Sequence, residues 1–512
     1  MKGHAKSSFH GAHRKILMLT NVEFGEANVF LATSQALLEA DPDVELHFAT
    51  FDGLEKCLAR ITQTVQRRIP HARPIVLHNI KGSSMTAGVK QHLVRHGIPH
   101  RQPCIPDSFT TPLGGFLGSV RALNDTIPIF LPYEGPELAD LVSSILDIMD
   151  EVDADLVVVN SLMTAGLTAC YHRGCRFVSL SPNSLKAAVP RFGYPTFFSG
   201  LGYPVPAHLL PLNLCLFVYM VALWWTNGHR RRVAACLEER GYRLRTTFDL
   251  ARDTPRGFKL LVSSRHEIDF PVACPSYIRP CGPIVRPTPP IADVDPGLAA
   301  WLAGGPTVYV NLGSLFRFLD EEAVALAHGL KIVLDTARKQ PGTQLQLQVL
   351  WKLKRCQTQD NCPASKQNNC PASQVLDDYI RAGHVRIVDW IQAEPNSILR
   401  SGHVACSVHH GGANSFNEAV SAGVPHLVLP QWMDCYDYAE MAKTLGIGRQ
   451  GNESMKPRWN APELASQLLA TLFGDTGKAT RERAKGLARL CEERGPGAVN
   501  AARILLSECC GK

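Results

Sequence analysis

Apolar and polar positions along the chain follow two periods, short wholly apolar runs and longer stretches with helical spacing, and the alternation restarts after a proline-dense interval. Residues 15–20 (KILMLT) are a short apolar run, residues 28–40 place Leu31, Leu37 and Leu38 at helical spacing, and residues 44–50 are apolar again. This order predicts strand, helix, strand, and strands joined by a helical crossover pair in parallel. A second such unit is predicted at residues 155–160 (DLVVVN), 162–171 and 176–180. Between the two units the chain is rich in Gly and Pro, and its periodicity places no elements.

Residues 271–296 contain Pro271, Pro275, Pro280, Pro283, Pro287, Pro289, Pro290 and Pro296. Such a stretch resists helix and reads as an interdomain linker. After it the alternation resumes, with strands predicted at 307–311, 345–351, 385–391, 404–408 and 424–429, a helix at 321–336 and a polar helical region from Ala461 onward. A chain of 512 residues exceeds what one core usually serves. The expected architecture is α/β, with domains at residues 1–285 and 286–475 and a terminal helical region, 476–512, packing back on the first. The NCPAS segment at 361–365, repeated at 369–373, reads as an exposed loop insertion.

Composition narrows the classes. Hydrophobic residues at 45% and charged residues at 19% describe an ordinary globular chain and exclude a disordered one. The net charge of +7 is scattered apart from residues 230–232 and 352–355, which argues against nucleic acid as a partner. The N-terminal apolar run is about five residues, shorter than the ~7 a secretory leader needs. A cytoplasmic, reducing location follows, with the 16 cysteines acting as small buried hydrophobes. Cys356, Cys362 and Cys370 share a polar insertion but lack close pairing, so no metal is expected. Residues 209–225 (LLPLNLCLFVYMVALWW) are largely apolar and precede HRRR. They read either as a buried helix or pocket wall, or as a peripheral membrane contact or lipophilic channel.

Residues 404–429 (VACSVHHGGANSFNEAVSAGVPHLVL) carry the chemistry. A strand runs into His409, His410, Gly411 and Gly412, and a helix is predicted from near Asn414, with Phe416, Ala419 and Val420 on one buried face. Gly423 suits the left-handed position that ends a helix, and Pro425 follows. Glycines admit close backbone approach, and a helix N-terminus offers unpaired N–H groups to a pyrophosphate. Asn414 and Ser415 can cap the helix or bond phosphate, and Glu418, one turn on, can reach ribose hydroxyls.

With these residues in view, the chain resembles the UDP-glycosyltransferases, glycosyltransferase family 1, most of all their fungal small-molecule branch. The resemblance is strongest from residue 385 to about 448 and includes SSRHEIDFP at 263–271 and FGEANV at 24–29. It implies the glycosyltransferase-B fold, two Rossmann-like domains facing across a cleft. It also implies donor-binding roles: Trp390 stacking on uracil, Gln392 near uracil or ribose, His410 and Gly412 at the pyrophosphate, Asn414, Ser415 and Ser314 at the phosphates, Glu418 at the ribose and Asp434 at the sugar hydroxyls. Two departures follow from the same alignment. Glu26 stands where the family's catalytic histidine is expected, and Asn160 stands where its aspartate partner is expected. Cys435 replaces the glutamine that follows Asp434 in plant members. Glu26 is therefore the candidate base, with Glu23 second, unless Glu26 is a solvated loop carboxylate.

The activity implied is inverting transfer of a hexose, glucose by default, from a UDP-sugar to a hydroxyl or carboxyl of a lipophilic small molecule such as a terpenoid, sterol or polyketide, without cofactor or metal. The rival is a degenerate protein that binds nucleotide sugar and has lost its base. GIGRQG at 446–451 satisfies a dinucleotide-binding pattern but follows a helical stretch and opens into polar residues, which argues against a nicotinamide enzyme.

Overall fold

The computed structural model describes residues 14–510 except 103, 112–114, 190–192, 340–345 and 357–369. The N-terminal segment read for a leader, Cys362 and the first NCPAS copy lie outside the described residues.

Two wholly parallel sheets organise the chain. The first holds seven strands in the order β3-β2-β1-β4-β5-β6-β7, with β1 at Lys15–Leu19, β2 at Glu45–Thr50, β3 at Val76–Asn79, β4 at Leu156–Asn160, β5 at Phe177–Ser181, β6 at Lys259–Val262 and β7 at Ile278–Pro280. The second holds six in the order β10-β9-β8-β11-β12-β13, with β8 at Thr307–Asn311, β9 at Gln348–Lys352, β10 at Val385–Val388, β11 at Val404–His409, β12 at His426–Val428 and β13 at Gly448–Gln450. Helices cover both faces, so the central strands β4, β5, β8 and β9 are buried along their whole length, which is why they are continuous apolar runs in the sequence.

Several expectations are corrected. The helix placed at 28–40 spans Phe24–Ala40, so Glu26 lies in its first turn and not in a loop. The proline-dense interval is not linker throughout: it contains the strand β7 and the short helix Ile291–Val294. Pro280 is tolerated because it ends an edge strand. The second NCPAS copy is no exposed loop, since Cys370 is buried and caps the helix Pro371–Val375. GIGRQG contributes the edge strand β13 after the helix Cys435–Thr444, so it opens no helix onto a phosphate. The reading of residues 209–225 as a buried helix also fails. The helix Leu210–Thr226 leaves Leu214, Val218, Val221 and Trp225 exposed.

The last helix, Gly497–Cys510, returns to the first domain. Its Ala498, Ala501, Ala502 and Leu505 pack in the same core as Phe30 and Leu37. The two outgoing and returning crossings touch: Gly497 N–H donates to the Pro283 carbonyl at 3.2 Å, and the Asn500 amide donates to the Cys281 carbonyl at 3.0 Å. Elsewhere the domains meet through a buried Lys186–Asp437 ion pair at 2.6 Å and through Gln102, which exchanges two hydrogen bonds with the Arg317 backbone. Burial pushes the Asp437 carboxyl up, and Lys186 opposes that shift.

Candidate functional site

The carboxyl ends of the central strands of both sheets face one cleft, the usual ligand position in doubly wound sheets. Glu23 and Glu26 follow β1, while Asn311, Lys352 and His410 end or follow β8, β9 and β11. The cleft measures about 1630 Å³ including its open mouth. All the candidate residues line it: Glu23 and Glu26 from the first domain, and Ser314, Trp390, Gln392, His410, Gly412, Asn414, Ser415, Glu418 and Asp434 from the second.

The second-domain wall is built around the helix Ala413–Ala422. Gly412 is its N-cap and supplies no side-chain acceptor, so the first backbone N–H groups are left to a ligand. The helix closes at Gly423, φ +67°. Asn414 does not cap the helix as one sequence reading held. It lies inside the first turn, and its amide donates across the cleft to the carbonyls of Phe24 (2.8 Å) and Gly25 (3.4 Å). The carbonyls that end up there belong to the start of the opposing domain's first helix, so Asn414 joins the two walls.

The His410 ring sits between two glycines. A Cβ on Gly412 would lie 2.4 Å from its Nε2, and one on Gly313 2.7 Å from its Cε1. Any side chain at either position displaces the ring. Burial, with Lys352 nearby, pushes His410 down to about 4, so it is neutral near pH 7, and among the described residues its Nδ1 has no partner. Glu418 is pushed up to about 8 by burial and by Glu394. Asp434 is pushed up to about 7 by burial and by Asp437. Both are poised to give a proton or to be ionised by hydroxyl donors. Trp390 is 55% exposed and presents a flat ring to the cleft, with the Lys352 ammonium 5.1 Å from its centroid.

The first-domain wall carries the acid–base group. Glu26 is 8% exposed, and its Oε2 accepts a hydrogen bond from the Asn160 amide at 2.7 Å. Burial is the main cause that lifts Glu26 to about 7; Asn160 opposes it, and Glu23 and Asp434 add to it. Among the described residues Oε1 has no partner. Glu26 is therefore no solvated loop carboxylate. Glu23 is engaged differently: its Oε1 accepts from both the N–H (2.8 Å) and the hydroxyl (2.7 Å) of Thr86.

Sequence reading missed Lys352 as a cleft residue. It ends β9, is 8% exposed, and is held down to about 8 by burial and by Lys354 and Arg317. The only signal was its membership of the basic run at 352–355. Arg286 and Glu394, a salt-bridged pair on the cleft wall, left no signal at all. A narrow apolar crevice lined by Phe51, Pro132, Tyr133, Leu162 and Met163 meets the main cleft at Met85.

Comparisons with known proteins bear on the family and the fold. Residues 374–490 match the family of the erythromycin biosynthesis protein CIII-like C-terminal domain. The chain is 30% identical to the glycosyltransferase sdnJ of Sordaria araneosa, over 98% of this chain and 99% of that one. Among solved structures, the glycosyltransferase of kitacinnamycin superposes with a TM-score of 0.59 at 15% identity, covering 97% of this chain and all of that one. An anthocyanidin 3-O-glucosyltransferase using UDP-glucose, solved with UDP, gives 0.57 at 14% identity, covering 98% and 99%. At these identities the two structures speak to fold alone, and both have the two-domain glycosyltransferase-B architecture.

Proposed function

The chain belongs to the UDP-glycosyltransferases, glycosyltransferase family 1, and from that premise we propose that it transfers a hexose from a UDP-sugar, with inversion, to a hydroxyl or carboxyl of a lipophilic small molecule. The observation that carries the proposal is the pairing, in one cleft, of a capless helix N-terminus beside His410 with a buried carboxylate, Glu26, on the opposite wall.

In this reading Trp390 and Gln392 hold the uracil end, Glu418 the ribose, and Asp434 the sugar hydroxyls. The diphosphate meets the N–H groups at Ala413–Ser415, His410 and Ser314. Glu26 accepts the acceptor's proton through its open oxygen as the acceptor oxygen bonds the anomeric carbon. The bond from that carbon to the diphosphate breaks, and UDP keeps the electron pair. The protein's contribution is orientation, one proton transfer and stabilisation of the departing charge. In this reading the transfer step itself uses no metal or cofactor. A base raised to about 7 is well matched to neutral pH, which speaks against the degenerate-binder reading.

The apolar wall at the crevice beside Met85 offers contact to one edge of a hydrophobic acceptor, with the main cleft supplying the volume. The helix Leu210–Thr226 adds a route for one. The segment Ala207–Glu239 is long and apolar enough to cross a membrane, but its exposed residues Leu214, Val218, Val221 and Trp225 recur at helical spacing on one stripe. Arg230 and Arg252 stack on Trp225 at 4.4 and 4.7 Å. An apolar stripe bordered by arginines is the composition of a helix lying in a membrane interface, so the proposal places the enzyme in the cytoplasm, in contact with membrane.

Calorimetric titration with UDP, GDP and dTDP tests the donor reading. UDP-selective binding, weakened in Glu418→Ala, supports it; preference for another base overturns the uracil role of Trp390; no binding of any of the three withdraws the transferase mechanism.

A further inference from the structure

Away from the donor wall, four segments of the first domain converge on one small space. His92 and His96 lie a turn apart at the end of the helix Met85–Arg95. Glu134 caps the helix Gly135–Val152. His229 stands in the first turn of the helix Gly228–Glu239. One ligand atom from each lies within 4.8 Å of all the others. His96 Nε2 is 3.1 Å from Glu134 Oε1, His92 Nδ1 is 3.9 Å from the same oxygen, and His229 Nδ1 is 3.7 Å from Oε2. Ligands spaced tetrahedrally around zinc at its usual bond lengths stand roughly 3.3 Å apart, so these separations need only small side-chain adjustments.

The hydrogen bonding leaves this space unsatisfied. His92 and His229 are 6% and 7% exposed, and the Nδ1 of each is buried with no hydrogen-bond partner among the described residues. His229 Nε2 faces the Leu131 carbonyl at 3.1 Å. A carbonyl only accepts, so Nε2 carries the proton and Nδ1 of the neutral ring turns a lone pair inward. That is the tautomer a metal ligand needs, held by the backbone contact that commonly orients such ligands. A buried lone pair at His229 Nδ1 and an unpaired buried ring nitrogen at His92 Nδ1 in the same space are costly unless something electron-poor sits between them.

We propose that His92, His96, Glu134 and His229 bind one Zn²⁺ in a closed, four-coordinate structural site. Three imidazoles and one carboxylate are a borderline set that suits zinc and excludes calcium and magnesium, which take oxygen ligands. Among the described residues Arg95, 3.4 Å from Glu134, is the arginine paired with that carboxylate; its 2.8 Å bond to Glu137 keeps it paired when the metal takes Glu134. With all four positions filled by protein, no place is left for water or substrate, and the role is mechanical. The residues between the Leu131 carbonyl and Glu134 are Pro132 and Tyr133, which line the apolar crevice. A metal at this site pins that wall and ties it to the helix that follows the exposed apolar helix.

The test uses the full chain produced in zinc-supplemented medium. Elemental analysis is expected to give about one zinc per chain, and chelation is expected to lower the melting temperature, with zinc restoring it. His229→Asn and the less buried His96→Gln are each expected to bring zinc to background while UDP titration is unchanged. Cobalt loaded in place of zinc should show the intense visible bands of a four-coordinate site. Should His229→Asn fail to fold, His96→Gln carries the comparison. The proposal is overturned if the parent chain holds no stoichiometric zinc and gains no thermal stability from it, or if both variants retain the parent's zinc. Since UDP binding is read separately, failure here and failure of the donor site are distinguishable.

Discussion

The Glu26 carboxylate accepts a 2.7 Å hydrogen bond from the Asn160 amide, and the Asn160 carbonyl oxygen is itself held by the Leu162 N–H at 2.7 Å. The second bond fixes which end of the amide faces Glu26. The pair has the reverse polarity of a histidine–aspartate dyad. An imidazole base carries an N–H that needs an acceptor behind it, whereas a carboxylate base carries none and needs a donor. Both positions differ from the histidine–aspartate pair that the resemblance implies, and the two differences are chemically matched.

Asn160→Asp should therefore be far more damaging than its size suggests. Two carboxylates at this distance do not ionise together, and one takes a proton well above neutrality. Activity at pH 7 is expected to fall by about 10²-fold or more and to recover partly at higher pH. Glu26→His combined with Asn160→Asp is expected to exceed either single variant. PH–rate profiles of the three decide this, and a double variant no better than both singles would refute the coupling.

The rate should follow the ionisation of Glu26. With its carboxyl at about 7, kcat/KM is expected to rise with pH through that value and to level above it. Glu26→Gln is expected to lower kcat by roughly 10²–10⁴-fold, to remove the ascending limb, and to leave UDP affinity unchanged by calorimetry.

The same carboxylate costs stability. Its folded value, about 7, lies above the ordinary 4.5, so the folded chain holds this proton more tightly than the unfolded one. Its contribution is neutral below about 4.5, becomes unfavourable as pH rises between the two values, and is fully unfavourable above 7. Glu26→Gln is expected to match the parent at pH 4 and to exceed it at pH 8 by up to about 3 kcal/mol. Urea denaturation at both values measures the difference.

Lys186 and Asp437 offer a test at the domain boundary. Lys186→Met leaves a buried carboxylate alone and is expected to cost ~3–5 kcal/mol at pH 7. Burial pushes Asp437 up, so it can take a proton, and the loss should shrink toward pH 5. Lys186→Met with Asp437→Leu should regain most of it. Denaturation midpoints report all three.

Gly412→Ala and Gly313→Ala each drive a methyl into the His410 ring. A tenfold or greater weakening of UDP is expected from either, with secondary structure unchanged by circular dichroism. For the membrane contact, Val218→Asp with Leu214→Asp should abolish co-sedimentation with anionic vesicles while leaving UDP binding intact.

What the sequence disclosed depended on how local each feature is. Residues 404–429 form one strand, one turn and one helix in a row, so spacing alone predicted their arrangement, and the family resemblance added Trp390 and Asp434 nearby. The central strands were legible because burial on both faces makes them apolar throughout. Edge strands were not: β3 shows Val76 and Asn79 exposed, and β13 is three residues that resemble a glycine loop. Lys352 is brought to the cleft by β9, and nothing near it in the chain marks its destination. The cluster at His92 is further from legibility, since its members lie up to 137 positions apart and only His92 and His96 are neighbours in the chain. The helix Leu210–Thr226 shows the limit from the other side: its composition fits a core helix, and only the packing reveals that its apolar stripe faces outward.

Because the outgoing chain at Cys281–Pro283 and the returning chain at Gly497–Asn500 lie side by side and are hydrogen-bonded, the two halves share a doubled strap. Two hydrogen-bonded crossings resist a relative twist of the halves more than a single crossing would. It also means that a protease cutting the segment before Ile291 severs the polypeptide without separating the halves. The nicked protein should migrate as one particle until it is denatured.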